Sequence, residues 1–132
     1  MNTNFIYNFF RCGLIGWGFE CFFTGICSLL RGDSKLVCTS SLWMFPIYGL
    51  AACIVPLNKL IGTYPWFIRG LLYMIGIFLV EYLTGRLLQT FHACPWDYSH
   101  AKYNLSGVIR LDYAPFWFLV GLIYEKLLIF QW

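Results

Sequence analysis

Polar residues are so sparse along this chain that the places where they cluster divide it into segments. Apolar and aromatic positions run almost unbroken from about residue 12 to residue 30, and the helix is able to begin as early as Phe5. Arg31, Gly32, Asp33, Ser34 and Lys35 then form a polar stop. A second apolar run covers about 41–57 and contains Pro46 and Pro56. Pro56 is expected to end or kink that helix, because proline lacks an N–H and crowds the preceding turn. Asn58 and Lys59 mark the exit, and Thr63-Tyr64-Pro65 reads as a turn. A third run covers 66–91 and a last one 113–131. Pro115 suits the first turn of that last helix, and Asp112 suits its cap. Each run approaches the roughly 20 residues that cross a bilayer as a helix. The pattern predicts an all-α integral membrane protein: a bundle of about four transmembrane helices in a single transmembrane domain.

Residues 92–112 break the pattern. They are too polar to span and too aromatic for an ordinary linker. Over 108–113 the sequence Val-Ile-Arg-Leu-Asp-Tyr alternates with a period of two, which predicts extended backbone. An ordered loop follows, packed at the membrane surface or dipping back into the bundle. Irregular backbone at such depth has to be buried in protein or line a wet cavity.

Composition agrees. The chain is 60% hydrophobic, 21% aromatic and only 11% charged, against roughly 25% charged residues in soluble domains. That leaves too little polar surface to cover a water-soluble globule. The net charge of +3 is spread along the chain, so no nucleic-acid patch forms, and the basic residues are placed to meet lipid headgroups. No small-x-small cleavage site follows the first apolar run, so the first helix is expected to stay as an uncleaved anchor. Basic residues are balanced between the two sides, which gives the positive-inside rule little to act on. Cys12, Cys21, Cys27, Cys38, Cys53 and Cys94 form no C-x-x-C. Most lie in apolar runs, where a free cysteine acts as a small hydrophobe.

Charge inside a span is the main pointer to function, because a charged group at the bilayer centre costs a few kcal/mol on insertion scales. Glu20 lies mid-span. Gly13, Gly16, Glu20, Thr24 and Cys27 share one helical stripe of small and polar residues, suited to close approach of another helix. Glu81 repeats the arrangement in the third span with Gly85 one turn on. Glu20 precedes Thr24-Gly25 as Glu81 precedes Thr84-Gly85, a faint internal echo. Arg86 lies about 140° around the helix from Glu81, a poor angle for an ion pair; it can snorkel to a lipid phosphate or meet an acid on the loop. In the loop, Asp97 is a partner for Arg86 or Arg110, Trp96 and Tyr98 are interfacial anchors or the rim of a pocket, and Arg110 pairs with Asp112. Glu125 and Lys126 read as interfacial. His92, Cys94, Asp97 and His100 match no standard zinc spacing, and no Walker-type phosphate loop is present. No metal or cofactor is expected.

Several of these residues carry a resemblance. Gly16-x-x-x-Glu20 with Phe22-Phe23-Thr24, Thr39-Ser40-x-x-Trp43 with Tyr48-Gly49, Glu81-Tyr82-x-Thr84-Gly85, Ala93-Cys94-Pro95-Trp96-Asp97-Tyr98-Ser99, Gly107-x-Ile109-x-Leu111 and Tyr113-Ala114-Pro115 stand in order along the chain. In these motifs, from about residue 12 to 126, it resembles the bacterial family called Putative ABC-transporter type IV. It is also similar to the eukaryotic transmembrane protein 229 group. The resemblance implies a multi-helix membrane protein, permease-like or channel-like, in a homo-oligomer or larger membrane complex with a separate ATPase subunit. It carries over no catalytic or binding residue. Three readings follow: a transport component of the cell membrane with a buried acidic centre, a scaffold or accessory subunit, and a membrane-embedded enzyme acting on a lipid or lipid-linked substrate. In the enzyme, arginines would hold phosphate and Asp97 would act as general base.

Overall fold

The computed structural model describes residues 4–129. It is all-α apart from one short hairpin. The elements are α1 (Phe5–Leu30), α2 (Met44–Gly49), a 3₁₀ turn (Leu50–Cys53), α3 (Ile54–Ile61), α4 (Trp66–Thr90), β1 (Asn104–Leu105), β2 (Ile109–Arg110), a 3₁₀ turn (Leu111–Tyr113) and α5 (Ala114–Ile129). Three helical segments are long and apolar enough to cross a membrane: Phe5–Leu30, Met44–Ile61 and Trp66–Thr90. The 16 described residues of α5 extend about 24 Å. The chain divides into two compact units, one up to Ala52 and one from Cys53 onward.

In the N-terminal unit, Asn4 caps α1 by accepting the Tyr7 N–H at 3.2 Å. The helix thus begins at Phe5, the earlier of the two starts its apolar run allowed. Gly32, with φ +88°, turns the chain out of α1 as a left-handed residue after a helix end. Residues 36–41 then return along α1 without regular structure, and side chains of α1 supply their hydrogen bonds. Ser28 Oγ donates to Val37 O at 2.5 Å. Thr24 Oγ1 accepts the Thr39 N–H at 3.0 Å, while its own proton has the Glu20 carbonyl, one turn back, at 2.9 Å. Trp17 Nε1 donates to Ser41 O at 3.0 Å. The stripe of small residues then meets α2. A β carbon on Gly16 would lie 2.1 Å from Tyr48 Cγ, so only glycine allows that contact.

The second apolar run begins later and ends later than the expected 41–57. Pro46 falls in the first turn of α2, where a missing N–H costs nothing. Pro56 does not end the run. The helix tightens to 3₁₀ over Leu50–Cys53, the turn that the ring of Pro56 would crowd, and continues to Ile61.

In the C-terminal unit, α4 and α5 run antiparallel, with Arg69 beside Glu125 and Gly121 beside Tyr73. Residues 91–113 fold back along α4. Trp96 Nε1 donates to Val108 O at 2.8 Å, and the Tyr98 N–H donates to Gly107 O at 2.8 Å. Ala101, Val108 and Ile109 are buried, so the loop has a core of its own. The expected extended stretch is shorter than 108–113. Only Ile109 and Arg110 are strand, paired with Leu105 and Asn104, and Leu111–Tyr113 closes into a 3₁₀ turn. Asp112 therefore pairs with Arg110 rather than capping the last helix, while Pro115 does sit in the first turn of α5.

Candidate functional site

Glu20 lies on α1 at intermediate burial. The Tyr48 hydroxyl from α2 meets its carboxyl, and its buried Oε2 has no hydrogen-bond partner. Gly13 and Gly16 bring α2 against this face, and Thr24 ties down the returning segment. The stripe is therefore an interior face of the N-terminal unit.

Glu81 is more enclosed, with 9% of its surface exposed. Its position is nine residues, or about 13 Å of helical rise, before the end of α4. The Tyr98 hydroxyl reaches it from the loop, and again Oε2 has no hydrogen-bond partner. Gly85 makes room for this cover: a β carbon there would lie 2.8 Å from Val108 and 3.0 Å from Trp96. Outside Tyr98 sits Arg110, with its guanidinium 6.0 Å from the Tyr98 ring and 4.6 Å from the Tyr113 ring. Arg110 also donates to Asp112 Oδ2 at 2.8 Å. That bond holds the Asp112 carboxyl below the usual range and raises the Arg110 guanidinium. The structure thus brings Glu81, Trp96, Tyr98, Arg110 and Asp112 together, from a buried acid outward to an exposed ion pair.

Asp97 and Arg86 are not part of this group. The exposed Asp97 accepts the Ser99 N–H at 2.9 Å, which, with the Ser99 side chain, lowers its pKa. It pairs with neither Arg86 nor Arg110. Arg86 is exposed and donates to Gln89 Oε1 at 3.2 Å. His92 and His100 are exposed.

A second polar centre lies towards the other end of α4. Glu125 is buried, contrary to its interfacial reading. Arg69 Nε donates to Glu125 Oε2 at 3.0 Å, and Arg69 Nη2 donates to Oε1 at 3.1 Å. Asn58 Nδ2 donates to Oε2 at 3.2 Å, and the Tyr73 hydroxyl donates to the same oxygen. Arg69 also reaches Tyr64 O at 2.6 Å. Both carboxylate oxygens are thus satisfied, and three helices are joined through them. One signal was present in the sequence. Gly121 stands one turn before Glu125, the glycine-then-acid spacing seen at Gly16 and Glu20.

Membrane-length apolar helices that turn acids inward, with polar side chains closing over them, define a helical membrane protein with ionisable groups within its packed interior. The family model for Putative ABC-transporter type IV matches residues 7–131. The chain belongs to that family. No solved structure matches it.

Proposed function

We propose that this chain is a multi-pass transport component of a cellular membrane in which Glu81 exchanges a proton or cation under the cover of residues 92–112. One observation carries the reading. Glu81 is an enclosed acid that keeps one carboxylate oxygen without a partner. A buried polar atom left in that state is costly, and ionisable residues within spanning helices commonly mark ion or proton pathways. Tyr98 touches Glu81, Arg110 touches Tyr98, and Asp112 pairs with Arg110, which supports a polar relay at this face. Family membership supports a transport role. The chain has no phosphate loop of its own, so ATP hydrolysis would fall to a separate subunit of a larger complex.

The test uses the protein extracted gently from membranes with any partners, reconstituted into vesicles that hold a pH-sensitive dye. Under an imposed proton gradient the wild type should dissipate it faster than protein-free vesicles. Glu81→Gln should fall to the protein-free rate while still inserting and folding. Equal rates for the two proteins would remove Glu81 from the pathway.

A scaffold role has its own support at the Arg69–Glu125 centre. That centre offers no unused donor or acceptor on its carboxylate and serves to hold helices in register.

A further inference from the structure

The returning segment is held against α1 by one edge of its backbone. Ser28 Oγ donates to Val37 O, Thr24 Oγ1 accepts the Thr39 N–H, and Trp17 Nε1 donates to Ser41 O. Thr39 O faces the same way, 3.2 Å from Thr24 Oγ1. A residue that turns both its N–H and its C=O to one side, with alternate residues repeating the pattern, has extended backbone. The spacing agrees. Ser28 and Thr24 are one turn apart, about 6 Å of helical rise, and two residues of strand cover about 6.6 Å. Residues 37–41 are thus an extended segment docked through Val37, Thr39 and Ser41, and Cys38 and Ser40 turn their N–H and C=O groups away from α1. Cys38, Thr39 and Ser40 are exposed. Among the described residues, no hydrogen bond reaches the outward N–H and C=O groups of Cys38 and Ser40. Depth makes this costly. Thr24 and Trp17 lie about 9 Å and 20 Å of helical rise before the end of α1 at Leu30. Spanning a hydrocarbon core of about 30 Å, α1 has a length of about 39 Å and overhangs it by only a few ångströms. Ser40 therefore lies inside the core, where lipid offers no partner to a backbone polar group.

We propose that residues 37–41 are a dimer interface, pairing antiparallel with the same residues of a second copy inserted in the opposite orientation. An unpaired strand edge is completed by another backbone of the same spacing. Centred on Thr39, an antiparallel pair lets Cys38 and Ser40 of one copy exchange both N–H and C=O bonds with Ser40 and Cys38 of the other. The two Thr39 residues then face each other as a non-hydrogen-bonded pair. The segment Val-Cys-Thr-Ser-Ser carries no charge and no proline, the usual guards of a strand edge, so nothing repels a second copy. A copy in the same orientation does not fit. Its strand would run parallel, and parallel pairing offsets the two strands by one residue, which a two-fold axis along the membrane normal forbids. An inverted copy has a matching feature in the charges. With four spans, Arg11, Lys59, Arg69 and Lys126 fall on one side and the other five of the nine basic residues on the opposite side, so the positive-inside rule selects neither orientation. The interface rests on α1 spanning the membrane and is independent of Glu81.

The full chain carrying Thr39→Cys is oxidised in its native membranes with copper–phenanthroline, which enters the bilayer. The substitution leaves the backbone bonds of Thr39 in place. Facing residues of a non-hydrogen-bonded pair have α carbons about 4.5 Å apart, within disulfide range. A covalent dimer should appear on a non-reducing gel, with tandem mass spectrometry joining position 39 of one copy to position 39 of the other. Ser41→Cys should give no link between its own copies, which lie on opposite sides of the axis. Adding Ser40→Pro to Thr39→Cys removes an outward N–H and should abolish the dimer. Orientation is read separately from Thr63→Cys, in the turn before α4, with an impermeant maleimide on sealed vesicles. The peptide carrying position 63 should be labelled in about half of the chains, and in the rest only after detergent. Absence of the position-39 link, equal linking through Ser41→Cys as parallel copies would give, or labelling of all or none of the chains would each overturn the inverted pair. Release of the chain by an alkaline wash would remove the spanning of α1 itself, and the interface with it.

Discussion

Glu81 and Glu125 belong to the same antiparallel helix pair, are buried to a similar degree and each receive a tyrosine hydroxyl, from Tyr98 and Tyr73. They differ in what else reaches them. Glu125 has the Arg69 guanidinium and the Asn58 amide on its two oxygens. Among the described residues no cation forms an ion pair with Glu81, and one of its oxygens lacks a partner. A buried carboxylate with a full set of charge-assisted donors is held in one state. A buried carboxyl with a spare oxygen can change state without breaking a network. Burial alone does not separate the two roles; the inventory of donors does.

The sharpest way to break the comparison is to remove the counter-charge. Glu125→Ala leaves Arg69 without its partner, and breaking a buried ion pair costs several kcal/mol. Since Arg69 is about one-fifth exposed (21%), we expect about 3 kcal/mol, read as a lowered unfolding midpoint in detergent. A loss as small as that from Glu81→Gln would erase the distinction between lock and exchange site. Next in size is Gly85→Ala. Its new methyl would press on Val108 and Trp96, and overpacking of this kind costs about 1–3 kcal/mol. Amide exchange should accelerate over residues 94–108 and stay unchanged around Asn58 and Arg69. Gly76→Ala is the control on the same helix. Nothing lies within 4 Å of its new methyl, so it should be neutral or stabilising by about 0.5–1 kcal/mol.

The smallest effect concerns the loop that covers Glu81. Asp97 has its folded pKa lowered, first by the Ser99 backbone bond. Its stabilising contribution is therefore complete above the ordinary aspartate value of 3.8 and is lost as pH falls through the depressed folded value. Loop protection measured by amide exchange should weaken across that acid window in the wild type. Asp97→Asn should flatten the dependence, and an equally steep response in that variant would exclude Asp97 as its source.

Much of the helical plan was legible because hydropathy over long windows is local information. The spans around Glu20 and Glu81, the ordered loop before α5 and the Arg110–Asp112 pair all follow from residues close together in the chain. The echo of Glu20-Thr24-Gly25 in Glu81-Thr84-Gly85 also has a structural counterpart. In each unit the segment after the long helix folds back over that glycine, with Leu36 and Cys38 near Gly25 and with Trp96 and Val108 at Gly85. The Glu125 centre was not legible for the opposite reason. Arg69 is 56 residues from Glu125 and Tyr73 is 52, and only the packing of α4 on α5 brings them together. A glutamate beside Lys126 near a helix end looks interfacial until that packing is known. The pairing of Asp97 was misread because its own backbone, at Ser99, satisfied it before a distant arginine could.

The 56-residue separation between Arg69 and Glu125 also sets a schedule. At about 5–20 residues per second of synthesis, the arginine is made roughly 3–11 s before the carboxylate that will neutralise it. During that interval α4 presents an unaccompanied cation to whatever surrounds it. Arg69 is the fourth residue of α4, close enough to the helix end for its long stem to carry the guanidinium out to the headgroups. The same residue placed mid-helix would have no such refuge. Its position near the terminus gives the cation a place to stay until α5 is made and Glu125 can pair with it.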